Sequence, residues 1–278
     1  MSDHVSVSTV HHSFQHADEL DTESAFFVRF LDTLNRNPGI RKNHARTIEL
    51  LGLRKDVALL DVGCGSGNYL IDVAPIVSRA VGLDQSAALL GVANTRARDA
   101  GVEIEVHCAN AMMMPFDNDS FDAVRTERVL QYLPNPETGL AEMMRVAKPG
   151  GRLVATEVDW DTIIIDVRQD LDRDVYRRVI GMAGDASGNG WMGRELERLF
   201  RDAGLRHVNT EPFTIIFRDY DLVMTNLGGT NITNTAAEHG IISQAEADAM
   251  LRSAELARER DRFFFAMTLF TCFGINPE

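Results

Sequence analysis

The stretch LLDVGCGSGNYL, residues 59–70, indicates both the fold class and the kind of ligand. An apolar run ends in three glycines at alternate positions, Gly63, Gly65 and Gly67, and Asp61 lies two places ahead of them. Glycines between a strand and a helix let backbone N–H groups approach an anionic group closely. Dinucleotide-binding turns have the spacing GxGxxG, whereas this one has GxGxG. The spacing therefore predicts a wider turn than the dinucleotide one.

The acid beside these glycines narrows the choice of ligand. A carboxylate at Asp61 would repel a pyrophosphate, and it would favour a ligand that carries a cation and an ammonium group. S-Adenosylmethionine carries both groups. We expect its ammonium to face Asp61 and its carboxylate to face the backbone N–H groups of the turn.

Two later strand ends supply other groups that such a ligand needs. Asp84, in VGLDQS, ends the second predicted strand, where its carboxylate can accept hydrogen bonds from both ribose hydroxyls. In HCANAMMMPF, Asn110 can meet the edge of adenine and Ala111 is small. Met112 to Met114 add a soft apolar surface against the ring. The order of these groups along the chain fits one nucleoside site.

Strands and helices alternate through the first part of the chain. The pattern predicts strands near 57–63, 79–86, 102–110, 121–129 and 152–160, with helices between them and a helix over 136–151. This alternation implies crossover connections and a parallel sheet with both faces covered. Two later strands, 207–219 and 262–275, are predicted to pair antiparallel at a sheet edge.

We predict a single domain over residues 21–278, in which two segments cover the substrate. The first is a helical cover over 21–52, and the second is the insertion 219–261 between the last two strands. The insertion contains SQAE, residues 243–246, which predicts a capping box and a helix to about Glu259. Loops of this length are usually functional.

Residues 1–20 contain His4, His11, His12 and His16, which raises the alternative of a metal site. No carboxylate or cysteine completes such a site at a ligand-like spacing, so we predict a mobile arm and no metal.

The composition limits the partners and the compartment. Lysine and arginine number 28 against 41 aspartate and glutamate residues, a net charge of −13. An acidic chain would repel nucleic acid and anionic membranes on average, so we expect a small-molecule substrate and no nucleic acid. The three cysteines, Cys64, Cys108 and Cys272, form no CxxC pair and no even-numbered framework, so neither a disulfide scaffold nor a structural zinc site is indicated. No apolar run approaches about 18 residues and the N-terminus has no signal pattern, so we expect no membrane span and a cytoplasmic location.

Five motifs in order resemble the class I S-adenosylmethionine-dependent methyltransferases, especially the ubiquinone/menaquinone-biosynthesis group, over about residues 40–275. They are DVGCGSG (61–67), VGLDQS (81–86), ANAMMMPFDNDSFDAV (109–124), ERVLQYLPNPE (127–137) and RVAKPGGRL (145–153). The resemblance implies an α/β, Rossmann-like fold with a seven-stranded, mostly parallel sheet, an antiparallel last strand and helices on both faces. It also implies S-adenosyl-L-methionine as cofactor and S-adenosyl-L-homocysteine as product.

The resemblance also implies roles for individual residues in the cofactor site. The glycines would line the methionine portion and Asp84, with Gln85 beside it, would hold the ribose. Asn110 and Ala111 would flank adenine, and Arg128 would contribute from the loop after the fourth strand. Asn110 stands where many relatives have aspartate. The quinone-pathway signatures are not evident, so that substrate is not transferred.

Methyl transfer requires a nucleophile held in line with the methyl carbon and the exclusion of water. A base is needed only where the acceptor loses a proton. Candidate catalytic residues at strand ends are Glu157, Asp159 and Tyr132, with Glu127 and Gln131 beside the last; each has substrate contact, capping or surface charge as its alternative role. Candidate substrate-binding residues are Phe26, Phe30, Trp160, Trp191 and Arg194. These side chains favour a partly apolar metabolite.

The predicted reaction is methyl transfer to O, N or C of a small metabolite, and secondary metabolism is one setting that fits it. Two alternatives stay open. One is a cofactor-binding cyclase or regulatory protein on the same fold, because methyl transfer needs little dedicated machinery. The other is a nicotinamide-dependent oxidoreductase, which Asp61 and the glycine spacing disfavour. A homodimer is compatible with the sequence, which does not fix the oligomeric state.

Overall fold

A computed structural model describes residues 21–166 and 173–277, and the predicted arm 1–20 with its histidines lies outside this range. Seven strands form one sheet in the order β3-β2-β1-β4-β5-β7-β6. The strands are β1 Ala58–Val62, β2 Arg79–Asp84, β3 Glu105–Cys108, β4 Phe121–Glu127, β5 Ala147–Ile165, β6 Arg206–Phe217 and β7 Phe265–Ile275.

The sheet is mostly parallel, as predicted. β1 pairs in parallel with β2 and β4, and the outer pairs β2–β3 and β4–β5 are also parallel. β7 lies antiparallel between β5 and β6. The Rossmann-like arrangement with an antiparallel last strand is therefore confirmed.

Nine α-helices surround the sheet in the described part of the chain. They are α1 Asp21–Asn35, α2 Pro38–Leu51, α3 Asn68–Val73, α4 Ala87–Ala100, α5 Pro136–Val146, α6 Arg173–Ala186, α7 Met192–Asp202, α8 Gly229–Glu238 and α9 Gln244–Glu259. Short helical turns occupy 74–76, 130–132 and 221–226. Within the described ranges, no helix has the length and apolar content that a membrane crossing requires.

Helix α9 begins where the capping box predicted it. The Ser243 side chain accepts from the Glu246 N–H at 3.2 Å, and the Glu246 carboxylate accepts from the Ser243 N–H at 2.6 Å. Helix α5 ends earlier than predicted, at Val146, because Pro149 cannot continue a helix and Gly150 has φ +75°. The residues from Ala147 onwards join β5 instead.

Side chains of the central strands alternate between two cores. Leu59 packs with Tyr69 and Leu70 of α3 on one face, whereas Leu60 packs with Leu140 of α5 on the other. Both leucines are fully buried. A parallel strand covered on both sides is apolar throughout, which explains why β1 does not show the alternating pattern of a half-exposed strand.

Candidate active site

A cavity of about 540 Å³ opens at the carboxyl ends of β1, β2 and β4. The turn after β1 and the ends of β2 and β3 form one end of it, which we call the glycine end. The other end, the apolar chamber, is formed by residues of α1, α2, α6, α8, α9, β5 and β7 and of the helical turn 221–226. Both ends belong to one continuous cavity.

The three glycines of the turn all have left-handed backbone conformations, with φ of +72° at Gly63, +54° at Gly65 and +77° at Gly67. Most of the N–H groups here are already used within the protein. Gly63 and Cys64 both donate to the Leu83 carbonyl, at 2.6 and 3.1 Å, and Gly65 donates to Asp84 at 2.8 Å. These amides therefore shape the turn, and the expectation that they hold the ligand's carboxylate finds no support at these positions.

Gly67 also allows α3 to lie close to α4. A Cβ at Gly67 would sit 2.8 Å from the Ala93 Cβ, whereas a Cβ at Gly101, with φ +67°, would meet nothing within 4 Å. We expect Gly67→Ala to lose more unfolding free energy than Gly101→Ala, because left-handed strain of roughly 1–2 kcal/mol applies to both and overpacking of roughly 1–3 kcal/mol only to the first. Urea unfolding measures both variants. Equal losses would show that helix packing does not require this glycine.

The Asp84 carboxylate links the glycine turn to the end of β2. One oxygen accepts from the Gly65 N–H at 2.8 Å and the other from the Ser86 N–H at 2.9 Å. Burial raises the pKa of Asp84, and hydrogen bonds from the backbone N–H groups of Ser86, Gly65 and Gln85 oppose that effect. A carboxylate has about four lone-pair sites, so Asp84 can still accept from a ligand hydroxyl.

The residues predicted to contact adenine also lie together in the cavity. Gln85, Asn110 and Ala111 all line the glycine end, together with Met112. The Asn110 side-chain oxygen accepts from the Met112 N–H at 2.8 Å, which leaves the amino group of the carboxamide as the donor for a ligand.

A buried network of charged groups lies between the glycine turn and α2. Arg125 on β4 donates to Asp61 at 2.8 Å and to Glu127, and its guanidinium stacks 3.7 Å from the Tyr69 ring centroid. The His44 Nε2 lies 3.0 Å from Glu127. The network ties α2 to the centre of the sheet.

The protonation of these acids follows from burial and from their partners. Burial raises the pKa of Asp61, although Arg125 opposes the shift. Burial would raise the pKa of Glu127 too, but His44, Arg125 and Arg128 together hold it well below its usual range. Glu127 is therefore ionised at neutral pH.

The charges at the glycine end favour a cationic ligand. Three cavity-lining carboxyl groups, Asp61, Glu127 and Asp84, lie near two guanidinium groups, Arg125 and Arg128, so the formal charge of these five groups is 2 − 3 = −1. Sequence analysis considered the negative charge of Asp61 alone. In the structure Arg125 offsets that charge, and Glu127 adds a second negative charge beside the same guanidinium. A diphosphate would be repelled here and a sulfonium with an ammonium group would be attracted.

Helix α1 lies directly over the glycine turn. Asp32 of α1 accepts two hydrogen bonds from Arg96 of α4, at 2.7 and 2.8 Å, and Arg96 also donates to the Ser66 hydroxyl at 3.1 Å. A Cβ at Gly65 would lie 3.1 Å from the Leu31 side chain. The first part of the predicted cover thus closes the glycine end.

Two predicted catalytic acids are not among the described residues that line the cavity. Glu157 is fully buried, and its Oε1 accepts the N–H groups of Val129 and Leu130 at 2.9 and 2.7 Å. It therefore holds the loop after β4 in place. Asp159 is also buried and accepts from Arg194 through both of its oxygens.

The same geometry removes two predicted substrate contacts from the cavity. Arg194 pairs with Asp159 and with Asp161, the latter at 3.0 Å. Trp191 is 55% exposed, with the Arg194 guanidinium 5.7 Å from its ring centroid. Tyr132, in contrast, does line the cavity, and burial raises its pKa above the usual range. The phenol is therefore neutral and suited to hydrogen bonding rather than to accepting a proton.

Glu157 provides a prediction about pH. Burial raises its pKa to about 8, whereas an unfolded glutamate titrates near 4.5. Between these pH values the folded state therefore binds an extra proton at Glu157. The contribution of this group to the free energy of unfolding is fully present below about pH 4.5 and is lost as the pH rises to about 8. Glu157→Gln keeps the acceptor for the Val129 and Leu130 N–H groups and removes the titration. We expect a flatter dependence of unfolding free energy on pH, measured by urea unfolding. An unchanged slope would contradict the assigned shift.

The apolar chamber contains two of the predicted substrate-binding residues. Phe30 and Trp160 both line it, and the Phe26 side chain lies outside the described side chains. The remaining chamber walls are Leu34, Ile40, Val158, Ile163, Ile165, Tyr176, Val179, Ile180, Val223, Met224, Leu227, Ile232, Met250, Phe265 and Met267. The insertion 219–261 thus contributes to the wall together with α6.

Sequence reasoning missed several cavity residues, notably His44, Arg125 and Tyr176. A signal for α6 was present, since Val175, Val179 and Ala183 recur at helical spacing and are buried. For Arg125 the signal was a charged side chain directly after the apolar pair Ala123 and Val124 of a predicted strand. His44 carried no signal, because α2 presents it to Glu127, 83 positions away.

Comparisons with known proteins show the family of this chain. A family model described as a methyltransferase domain matches residues 60–155. An uncharacterized 37.1 kDa protein in transposon TN4556 of Streptomyces fradiae is 32% identical over 251 residues, covering 87% of this chain and 69% of that protein. Demethylmenaquinone methyltransferase of Bacillus pumilus is 31% identical over 191 residues, covering 63% of this chain and 81% of that enzyme.

The fold has a counterpart among solved structures. The YcgJ protein of Bacillus subtilis matches with a TM-score of 0.60 at 18% identity, covering 86% of this chain and 99% of that one. That likeness supports the Rossmann-like architecture. The sequence relatives and the matched domain show the family: the chain belongs to the class I S-adenosylmethionine-dependent methyltransferases, and S-adenosylmethionine is its cofactor.

Proposed function

We propose that this methyltransferase transfers a methyl group to an O, N or C atom of a small, largely apolar metabolite. The observation that carries the proposal is one continuous cavity, whose acidic glycine end continues into a chamber walled mainly by aliphatic and aromatic side chains. An apolar wall favours an acceptor that loses water-exposed apolar surface on binding. The acceptor named for the Bacillus relatives is not assigned to this chain.

The residues of the glycine end fit the cofactor. We assign Asp84, with Gln85 beside it, to the ribose hydroxyls, and Asn110 and Ala111 to the adenine edge. Asp61 and Glu127 would receive the ammonium group. When bound, the cofactor supplies a methyl group on a positively charged sulfur.

The other residues of the site would orient the reactants and exclude water. We assign the turn of Gly63, Gly65 and Gly67 to the methionine portion, and Arg128 to its carboxylate, because Arg128 is a partly exposed cation of this cavity. Arg128 itself has φ +57°, a costly conformation for a side chain of this size and one that concentrates at functional sites. Closure by α1 would keep water from the reacting atoms.

Proton removal depends on the acceptor atom. His44 lines the cavity and its Nε2 is held by Glu127, so its imidazole is our candidate for accepting a proton from a hydroxyl or a carbon acid. Tyr132 would orient the acceptor through its neutral hydroxyl. Neither group is required as a base for an acceptor that loses no proton during methyl transfer.

We further propose that residues 21–278 act as one methyltransferase domain and that the covers 21–52 and 219–261 choose the acceptor. Both covers contribute side chains to the chamber, and α6 adds a third wall. Exchange of 219–261 with the matching segment of a relative should change acceptor preference while cofactor affinity stays the same. An unchanged preference would contradict this role.

A labelling experiment tests the proposed reaction. The protein is incubated with methyl-labelled S-adenosylmethionine and with metabolite extracts separated by polarity, and S-adenosylhomocysteine is measured in each fraction. We expect product and transferred label in the apolar fractions. Cofactor binding without transfer to any fraction would favour the cyclase or regulatory alternative, and transfer only in the most polar fractions would contradict the apolar acceptor.

A further inference from the structure

The loop after β4 carries side chains of the cavity on an unusual backbone. Arg128 has φ +57°, and Val129, with φ −125° and ψ −46°, lies outside the usual helical and strand regions. The short helical turn 130–132 follows at once. Arg128, Val129 and Tyr132 all line the cavity. Such a backbone conformation persists only where the surrounding structure holds it.

Two neighbouring residues of β5 hold this loop through three successive N–H groups. The Arg128 N–H donates to the Thr156 carbonyl at 2.8 Å. The N–H groups of Val129 and Leu130 both donate to Oε1 of Glu157, at 2.9 and 2.7 Å. The first N–H groups of a helix have no partner inside it. The Glu157 carboxyl group therefore caps the helical turn from a neighbouring strand.

Val129 connects the loop to the glycine turn. A Cβ at Gly63 would lie 2.2 Å from the Val129 Cγ2, so this valine occupies the space that the glycine leaves. Arg128 precedes Val129 in the chain, and its guanidinium lies 3.3 Å from the Glu127 carboxylate. A shift of Val129 would therefore move both the wall above Gly63 and the arginine assigned to the cofactor's carboxylate.

Glu157 itself lies behind the cavity wall. Its side chain is fully buried, and it is not among the described residues that line the cavity. Burial raises its pKa to about 8, so the carboxyl group is mostly protonated at neutral pH. It contributes a hydrogen-bond acceptor to the loop more than a charge to the site.

We propose that Glu157 is a positioning residue for the cofactor, acting through the loop after β4. Its hydrogen bonds to Val129 and Leu130 place Arg128 against the methionine carboxylate. The inference rests on the proposed assignment of Arg128 to that carboxylate. It replaces the catalytic acid expected from the sequence with a group that shapes the amino acid end of the cofactor site and leaves the adenosine end unaffected.

The two parts of the cofactor give a readout that general damage would not. S-Adenosylhomocysteine carries the amino acid part and 5′-methylthioadenosine lacks it, and isothermal titration calorimetry at neutral pH measures the affinity for each. Glu157→Leu keeps a similar volume and removes the acceptor for both N–H groups. We expect it to weaken binding of S-adenosylhomocysteine about tenfold, as for a weakened hydrogen bond between charged groups, and binding of 5′-methylthioadenosine less than about twofold.

Two further variants grade the reach of the side chain. Glu157→Gln resembles the protonated carboxyl group and keeps the acceptor, so its affinity for S-adenosylhomocysteine should stay within about twofold of the wild type. Glu157→Asp withdraws the acceptor by one methylene and should weaken binding about threefold.

Asn276→Leu is the matched control. Asn276 is also buried and also bonds the backbone, since its side chain donates to the Ala147 carbonyl at 2.8 Å. It is not among the described cavity residues. The control variant should therefore change the affinity for neither ligand.

Arg128→Met separates the inference from the proposed site. It should weaken binding of S-adenosylhomocysteine by itself, and Glu157→Leu should add little to it, because both changes remove the same contact. If Arg128→Met has no effect, the assignment of Arg128 fails and the inference fails with it.

Three outcomes would overturn the inference while the assigned site stands. With Arg128→Met weakening binding, these are a Glu157→Leu variant with unchanged affinity, one that affects both ligands equally, and one whose effect adds fully to that of Arg128→Met. Should Glu157→Leu fail to fold, Glu157→Asp and Glu157→Gln decide the question. Weaker binding of S-adenosylhomocysteine by the aspartate variant alone supports the inference, and equal affinities of the two variants overturn it.

Discussion

Replacement of Asp84 by alanine should lower the affinity for S-adenosylhomocysteine about a hundredfold or more. In the proposed site the carboxylate accepts hydrogen bonds from both ribose hydroxyls, and each hydrogen bond to a charged acceptor contributes roughly 1.5–3 kcal/mol. Isothermal titration calorimetry measures the change. The effect should appear with the whole cofactor product and equally with 5′-methylthioadenosine, which has the ribose but lacks the amino acid part.

Two variants separate ligand contact from damage to the turn. Asp84→Asn keeps one oxygen for the Gly65 or Ser86 N–H, so it should preserve more of the turn while still losing affinity. Asp56→Ala removes an exposed carboxylate before β1 and serves as the control. Unchanged affinity in Asp84→Ala would refute the ribose assignment.

Replacement of Arg125 by methionine should produce a large loss of stability. It leaves Asp61 and Glu127 buried without their shared guanidinium, and breaking a buried ion pair from one side costs roughly 3–5 kcal/mol. Methionine retains contact with the Tyr69 ring, so the loss reflects charge more than volume. Urea unfolding measures the difference from the wild type, with Arg198→Met, at a site 68% exposed, as the control.

This loss should depend on pH with a defined sign. Without Arg125, burial favours the neutral forms of both acids, so their pKa values rise and the variant loses stability as the pH increases. The deficit should therefore be larger at about pH 8 than at about pH 5. Replacing Asp61 with asparagine and Glu127 with glutamine as well should recover part of it. A variant as stable as the wild type at every pH would contradict the buried network.

The sheet was predictable because its determinants are local. Apolar runs that end in glycine or a turn, separated by helical patterns, identify a parallel sheet, and SQAE marks the start of α9 through one reciprocal pair of hydrogen bonds. The position at which β5 ends, in contrast, depends on pairing with a strand that is distant in the sequence. Pairing with β7 extends to Ile165 opposite Phe265, five residues beyond the predicted end at 160.

That extension explains the misplaced acids. Glu157 and Asp159 were interpreted as residues at a strand end, where parallel sheets usually position catalytic groups. Because β5 continues to Ile165, they lie within the strand, buried and paired. Trp160, Ile163 and Ile165 reach the cavity instead.

Sequence reasoning placed Asp84, Asn110 and the glycines at one end of the sheet, and they do line one cavity, because each lies at or just after a strand end. The register between neighbouring strands could not be predicted from the sequence. Asp61 lies opposite Arg125 on the neighbouring strand, and 64 positions separate them along the chain. The neutralisation of Asp61, and the role of Glu127 as the compensating acid, follow from that pairing.

A crystal structure of the protein with S-adenosylhomocysteine tests the central claim most directly. The account predicts the ribose on Asp84 and the ammonium group within hydrogen-bonding distance of Asp61 or Glu127. An adenosine bound elsewhere, or an ammonium group turned away from both carboxylates towards solvent, would contradict it.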